Sequence, residues 1–295
     1  MIHRKHLPLA LWAALAICVF AGAEEKVLYE QKSPFGIVVV TEDEQGLRTL
    51  LFEKGGVRQS VVKVGDPDHL ELAYARVMPV GLAFVEEPRR VLIVGLGGGT
   101  VPGFLHKHYP KMRIDVVEID PAVVDVAKKF FGFREDDTLR AYVKDGRKFI
   151  EDCRDPYDII FLDAFGPDNI PYSLTTQEFL QAARRALTPK GIVVANIWNR
   201  DSNSLYDSML RTYQEVFADL HIVEVRGAGN EIVVALPREK RIERDDLAQR
   251  AAKISKEKQF RFDLGDLVTQ GYRHEAEKNS RGSVLTDKNK PEKAG

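Results

Sequence analysis

Residues 90–120, RVLIVGLGGGTVPGFLHKHYPKMRIDVVEID, decide the reading of the fold. Val91 to Val94 form a short β-branched run, followed by four glycines in five positions, Gly95, Gly97, Gly98 and Gly99. A helix-like segment and a second apolar run ending on Glu118 complete the stretch. A strand entering a helix through a tight turn needs positive φ, and a missing Cβ lets a ligand approach the backbone. Glu118 lies 23 residues after Gly95, about where the acid of a nucleoside-binding βαβ unit grips the ribose hydroxyls. No GK[ST] follows the glycines, which argues against a phosphate-cradling loop and leaves NAD or S-adenosylmethionine as the nucleoside.

Downstream the α/β alternation continues. Pro121 to Phe131 reads as a helix opened by proline, Ala141 to Val143 as a short strand ending at Lys144-Asp145-Gly146, and Lys148 to Cys153 as a helix. Tyr157 to Leu162 is a buried strand ending on Asp163, Thr175 to Leu187 a helix, Gly191 to Trp198 a strand and Ser204 to Phe217 a helix. Ile222 to Val225 and Glu231 to Leu236 form a closing hairpin. Parallel strands with a terminal antiparallel hairpin predict an α/β fold with a Rossmann-like, methyltransferase-type doubly wound sheet.

Upstream, runs at Phe35 to Thr41, Leu47 to Phe52 and Val57 to Val64 predict a small N-terminal antiparallel β domain, residues 24–66. It is too small to hold a core alone, so it must pack on the downstream α/β domain or on a second subunit, giving a homodimer through this domain. Asp68 with Glu71 three residues on predicts a helix start, and Tyr74 inside that helix is core unless the helix lies beside the ligand. The nucleoside-binding domain spans 67–237. The extension 238–295 has 15 Lys+Arg against 11 Asp+Glu, with a surface helix at Arg244 to Lys258 and a solvated, partly disordered tail beyond His274.

The first 23 residues differ in kind: a basic start at His3 to His6, an apolar run from Leu7 to Ala21, and a small-residue site Ala21-Gly22-Ala23. This is the pattern of a secretory signal peptide, which predicts an exported protein, periplasmic or secreted. The alternative is anchorage by residues 7–21, but a bilayer span takes about 20 apolar residues. Cleavage would take the formal charge from −1 to −3 and leave Cys153 alone, so no internal disulfide forms. Neither charge suggests nucleic acid as a partner, and a membrane is one only if the first segment is retained.

In an open parallel sheet, ligands bind beyond the carboxyl ends of the strands. The glycine turn, Glu118 with Asp120, Asp145 with Gly146, and Asp163 with its loop AFGPDNIPYSL all fall there. Asp145 reads equally as a helix cap or a ligand contact. Pro167 and Pro171 shape the loop over Asp163, with a second acid, Asp168, nearby. The runs VLIVGLGGGT, VEID at 117–120, DGRKF at 145–149, YDIIFLD at 157–163 and IPYSLTTQEF at 170–179 resemble the spermidine synthase family of aminopropyltransferases. They look closest to the branch often fused to membrane transporter domains, and LTD at 285–287 belongs to the same resemblance.

The resemblance implies a transferase acting on decarboxylated S-adenosylmethionine and a small-molecule amine, without a metal. Gln59, Gly95, Gly97, Gly99, Glu118, Asp120, Asp145 and Gly146 would hold the nucleoside, Tyr74 and Asp168 the amine, and Asp163 would deprotonate it. Three departures thin the polyamine grip: Gly98 replaces the aspartate of the usual GGGDGG, Ala75 a glutamine, and Gly166 the second aspartate of DSxDP. Two other readings stand beside the first: a methyltransferase using intact S-adenosylmethionine, and an exported binding protein that does no chemistry.

Overall fold

The computed structural model describes residues 25–166 and 169–290. The expected signal segment and Asp168 lie outside the described residues. Four strands, β1 (Lys26–Ser33), β2 (Gly36–Glu42), β3 (Leu47–Leu51) and β4 (Arg58–Lys63), form an antiparallel sheet in chain order. Its inner face packs on the α/β domain: Val38, Val40 and Leu50 meet Val123, Val126 and Phe131. On this sheet and its turns Val27, Phe35, Ile37 and Val57 are exposed.

The expected helix at Asp68 starts later, as α1 (Ala73–Val77) continuing into a 3-10 turn at Met78–Ala83. Asp68 is instead drawn into ion pairs with His108, at 2.6 Å, and Lys107. A buried charge satisfied across 40 residues outweighs the small gain of a local cap.

The second sheet is built from β5 (Arg90–Val94), α2 (Thr100–His108), β6 (Arg113–Glu118), α3 (Pro121–Phe130), β7 (Leu139–Val143), α4 (Gly146–Glu151) and β8 (Tyr157–Leu162). After α5 (Gln177–Arg185) come β9 (Leu187–Trp198), α6 (Tyr206–Val216), β10 (Asp219–Glu224) and β11 (Asn230–Leu236). The strand order is β10-β11-β9-β8-β5-β6-β7, parallel except where β11 pairs antiparallel with both β9 and β10. This is the methyltransferase-like mixed sheet with a four-strand antiparallel sheet before it, as expected. Helices on both faces explain why β5, β8 and β11 are apolar on alternate and intervening positions alike.

Beyond Leu236, α7 (Arg244–Lys258) and α8 (Leu264–Gly271) lead to β12 (Tyr272–His274), which adds to the edge of β10. The composition after His274 suggests a solvated tail, but the described chain there runs back across the domain. Leu285 is 2% exposed, its carbonyl accepts from Gln177 N at 2.7 Å, and Asp287 binds the Arg147 guanidinium at 2.6 and 2.7 Å. A single apolar anchor and a bidentate ion pair hold a segment whose average composition hides both. No helix among the described residues is long and apolar enough to cross a membrane.

Candidate active site

The carboxyl ends of β5, β6, β7 and β8 open into one cleft, roofed on one side by β4 and α1. It encloses about 930 Å³ including its open mouth. Gly95, Gly97, Glu118, Asp145, Gly146, Asp163, Gln59 and Tyr74 line it, as expected from the sequence. Gly99 stands behind the turn, in the left-handed region at φ 81° as the cap of α2, with the Phe133 ring 2.9 Å from where a Cβ would lie.

Gly95, at φ 100°, is the closest approach in the site: a Cβ there would lie 2.2 Å from the Asp163 carbonyl oxygen. Its amide donates to Val117 O, and the Asp163 amide donates to Val94 O, so the ends of β5, β6 and β8 are tied into one rim. Gly98 explains one departure from the family pattern. A Cβ there would come within 3.1–3.2 Å of Phe131, Val62 and Ser60, so an acid at this position would crowd the contact between the turn and the N-terminal sheet.

Glu118 accepts from the amides of Leu96 and Asp120, each at 3.0 Å. Burial pushes its carboxyl up, and the amide donors of Asp120, Leu96 and Ile119 pull the other way. With three amide donors on its two oxygens, one acceptor position is left for a ligand hydroxyl. Ile119, 43% exposed beside it, offers an apolar surface to the same cleft. Asp145 caps α4, accepting from Arg147 N at 2.8 Å and Lys148 N at 3.2 Å, and still borders the cleft, so cap and lining coincide.

Asp120 does not join them. One oxygen caps α3 through Ala122 N at 2.9 Å and the other accepts the Ser33 hydroxyl at 2.5 Å, which staples β1 to the main domain. Having both oxygens engaged away from the cleft, it is a structural residue rather than the expected cofactor contact.

On the opposite wall, Asp163 accepts from Asn196 Nδ2 at 2.9 Å, and the Tyr74 hydroxyl, 3.5 Å from Gln59 O, lies close enough to its carboxyl to turn its proton there and stabilise the charge. Burial raises its carboxyl from the ordinary 3.8 to about 6, against those two donors. The same burial, with the Asp163 charge, lifts the Tyr74 phenol well above 10, so Tyr74 stays a donor. Asn196, 2% exposed, in turn accepts from Asn230 Nδ2 at 2.9 Å.

Neither asparagine is singled out by the sequence reading: Asn196 is a polar residue within the apolar run of β9, which is an available signal, whereas Asn230 opens β11 beside Glu231 and gives none. Thr100 was missed as well. This residue borders the cleft, and its hydroxyl is buried and has no hydrogen-bond partner among the described residues.

Residues 71–235 match the spermine/spermidine synthase domain. Over 224 residues, 74% of each chain, the sequence is 35% identical to the polyamine aminopropyltransferase of Vibrio vulnificus. A probable spermidine synthase from Corynebacterium glutamicum superposes with a TM-score of 0.71 at 22% identity, covering 89% of this chain and 99% of that one. Human methyltransferase-like protein 13, solved in complex with SAH, superposes with a TM-score of 0.60 at 32% identity, covering 64% and 93%. The relatives therefore include both aminopropyltransferases and methyltransferases.

Proposed function

Because the chain belongs to the spermine/spermidine synthase family, we propose that it alkylates an amine with the aminopropyl group of decarboxylated S-adenosylmethionine. The observation that carries this is the Asp163 carboxylate, raised to about 6 and held by Tyr74 and Asn196 across the cleft from Glu118. Glu118 binds the ribose hydroxyls while Ile119 covers the purine. A primary amine arrives as an ammonium, pairs with Asp163 and gives up a proton to it. The freed lone pair attacks the methylene next to the sulfonium, the carbon–sulfur bond breaks, and methylthioadenosine leaves as a neutral thioether. A carboxylate with a value near 6 is a stronger base than an ordinary aspartate and is still ionised at neutral pH.

Gly98 favours a second reading, methyl transfer from intact S-adenosylmethionine, because no acid stands at that position to repel the cofactor's own carboxylate. The methyltransferase likeness at 32% identity supports it further. The two part on one measurement. The purified chain is incubated with decarboxylated S-adenosylmethionine and a diamine, and separately with S-adenosylmethionine and an amine, and the nucleoside product is identified by mass spectrometry. Methylthioadenosine supports the first reading and S-adenosylhomocysteine the second; formation of neither product supports a protein that keeps the fold without the chemistry.

The placement beside the transporter-fused branch rests on the motifs alone. Export rests on the first 23 residues, and mass spectrometry of the natural protein should find Glu24 at its amino terminus. The exposed Val27, Phe35, Ile37 and Val57 support a homodimer through the N-terminal sheet, to be read by analytical ultracentrifugation.

A further inference from the structure

The far edge of the large sheet holds a second polar cluster, on β10 and β12. Asp219 and His221 are buried, and His274 faces His221 as its cross-strand partner. The two imidazoles stack at 4.9 Å between centroids. The hydrogen bonds around them fix the tautomer of His221. The Tyr272 hydroxyl donates to Ile242 O at 2.6 Å, so its oxygen is left to accept from His221 Nδ1 at 2.9 Å. A neutral imidazole with its proton on Nδ1 carries a bare lone pair on Nε2.

That Nε2 is buried and, among the described residues, has no hydrogen-bond partner. It faces Asp219 Oδ2 at 3.3 Å, which is itself an acceptor, from Lys240 N at 3.0 Å. The Lys240 ammonium is directed elsewhere, to Phe84 O at 3.2 Å. Two lone pairs meeting in a buried site repel, and protonating Nε2 would put an imidazolium on a ring with no exposed surface. A cation shared between them turns the repulsion into attraction. His274 Nε2 lies 2.5 Å from Asp219 Oδ1, and the three donor atoms fall within 4.8 Å of one another.

We propose that Asp219, His221 and His274 bind a divalent metal ion, zinc(II) by their chemistry. Two imidazoles and a carboxylate suit zinc, and a 3.3 Å ligand separation fits a tetrahedron with bonds of about 2.0–2.1 Å. Water takes the fourth position on the side where His274 is 27% exposed. Coordination requires His274 to release Asp219 and carry its proton on Nδ1. Tyr272 supplies the outer hydrogen bond that orients His221. The ion clasps β12, which pairs with β10 through three residues only, and so anchors the segment that carries Asp287 to Arg147.

The test uses tag-free full chain stripped with EDTA and titrated with zinc(II) by calorimetry, then with cobalt(II) by visible absorption. One equivalent of zinc, a raised Tm and the strong bands of four-coordinate cobalt are expected. His274→Gln, at a partly exposed position, and Asp219→Asn should each weaken binding at least about tenfold, and Tyr272→Phe by roughly 10–100-fold. Circular dichroism identifies any variant that does not fold, and the reading then rests on His274→Gln. No stoichiometric zinc uptake by the parent chain, or uptake unchanged in folded His274→Gln, overturns the proposal.

Discussion

The two walls of the cleft are assembled in different ways. On the nucleoside side, Glu118 and Asp145 are held by amides within a few residues or one strand away, Leu96, Asp120, Arg147 and Lys148. On the amine side, Asp163 is held by side chains, Tyr74 from α1 and Asn196 from β9, and Asn196 is held by Asn230 from an antiparallel strand. The first wall is a property of short motifs. The second exists only once the sheet has its full strand order. Backbone donors persist when side chains change, whereas a chain of side-chain donors is tuned by single substitutions. Two of the three departures from the family pattern, Ala75 and Gly166, are close in sequence to Tyr74 and Asp163 of the amine side, and the third, Gly98, lies in the glycine turn.

The largest effect should come from removing the side-chain-held acid. Asp163→Asn is expected to lower amine-dependent turnover by about 10²–10⁴-fold with nucleoside affinity nearly intact. Equal turnover in mutant and parent, in steady-state assays, would remove Asp163 from the mechanism. The same variant tests the energetics of burial. Because the folded-state value is raised from 3.8 to about 6, the stability this group contributes is present below its unfolded value and is lost as pH rises through about 6. Asp163→Asn should thus stabilise the fold at neutral pH by at most about 3 kcal/mol, and thermal melts should show the gain vanishing near about pH 4.

Next in size is the backbone-held acid. Glu118→Gln should weaken adenosyl ligand binding by roughly 1–3 kcal/mol, measured by calorimetry, without moving the pH dependence of turnover. A shifted pH profile would mean that the two walls are coupled.

Asn196→Leu sharpens the contrast further. Loss of its bond to Asp163 removes a contact that holds the carboxyl down, so the acid limb of kcat/KM should move up from about 6 by roughly one pH unit. An unmoved limb would show that burial and Tyr74 set the acid's value without Asn196.

The smallest effect is expected at Asp120, the acid that faces away from the cleft. Asp120→Ala should cost about 1 kcal/mol of stability as a lost cap, by urea denaturation, and leave ligand affinity unchanged.

The same contrast marks how far the sequence could be read. The βαβ unit, the closing hairpin and the N-terminal sheet announce themselves through periodicity and turn residues, which are local. Glu118, Asp145 and Asp163 stand at strand ends that any α/β reading places in the cleft. Asn196 stands out as a polar residue in an apolar strand, but its pairing with Asn230 follows only once β11 inserts beside β9, which sets Asn230 opposite Trp198 and Asn196 opposite Ile232. Asp68 and Asp120 were misjudged for a related reason: a short carboxylate reads as a cap or a ligand from its neighbours, while its partners were His108 and Ser33, 40 and 87 residues away. The segment after His274 looked solvated because one buried leucine and one ion pair do not alter its average.

The Arg147 to Asp287 pair joins residues 140 apart, and Arg147 follows directly on the Asp145-Gly146 corner of the cleft. Closing so long a loop costs entropy before the ion pair and the Leu285 anchor repay it, so in folding time the locally capped corner should form with the central sheet and be clamped by Asp287 only afterwards.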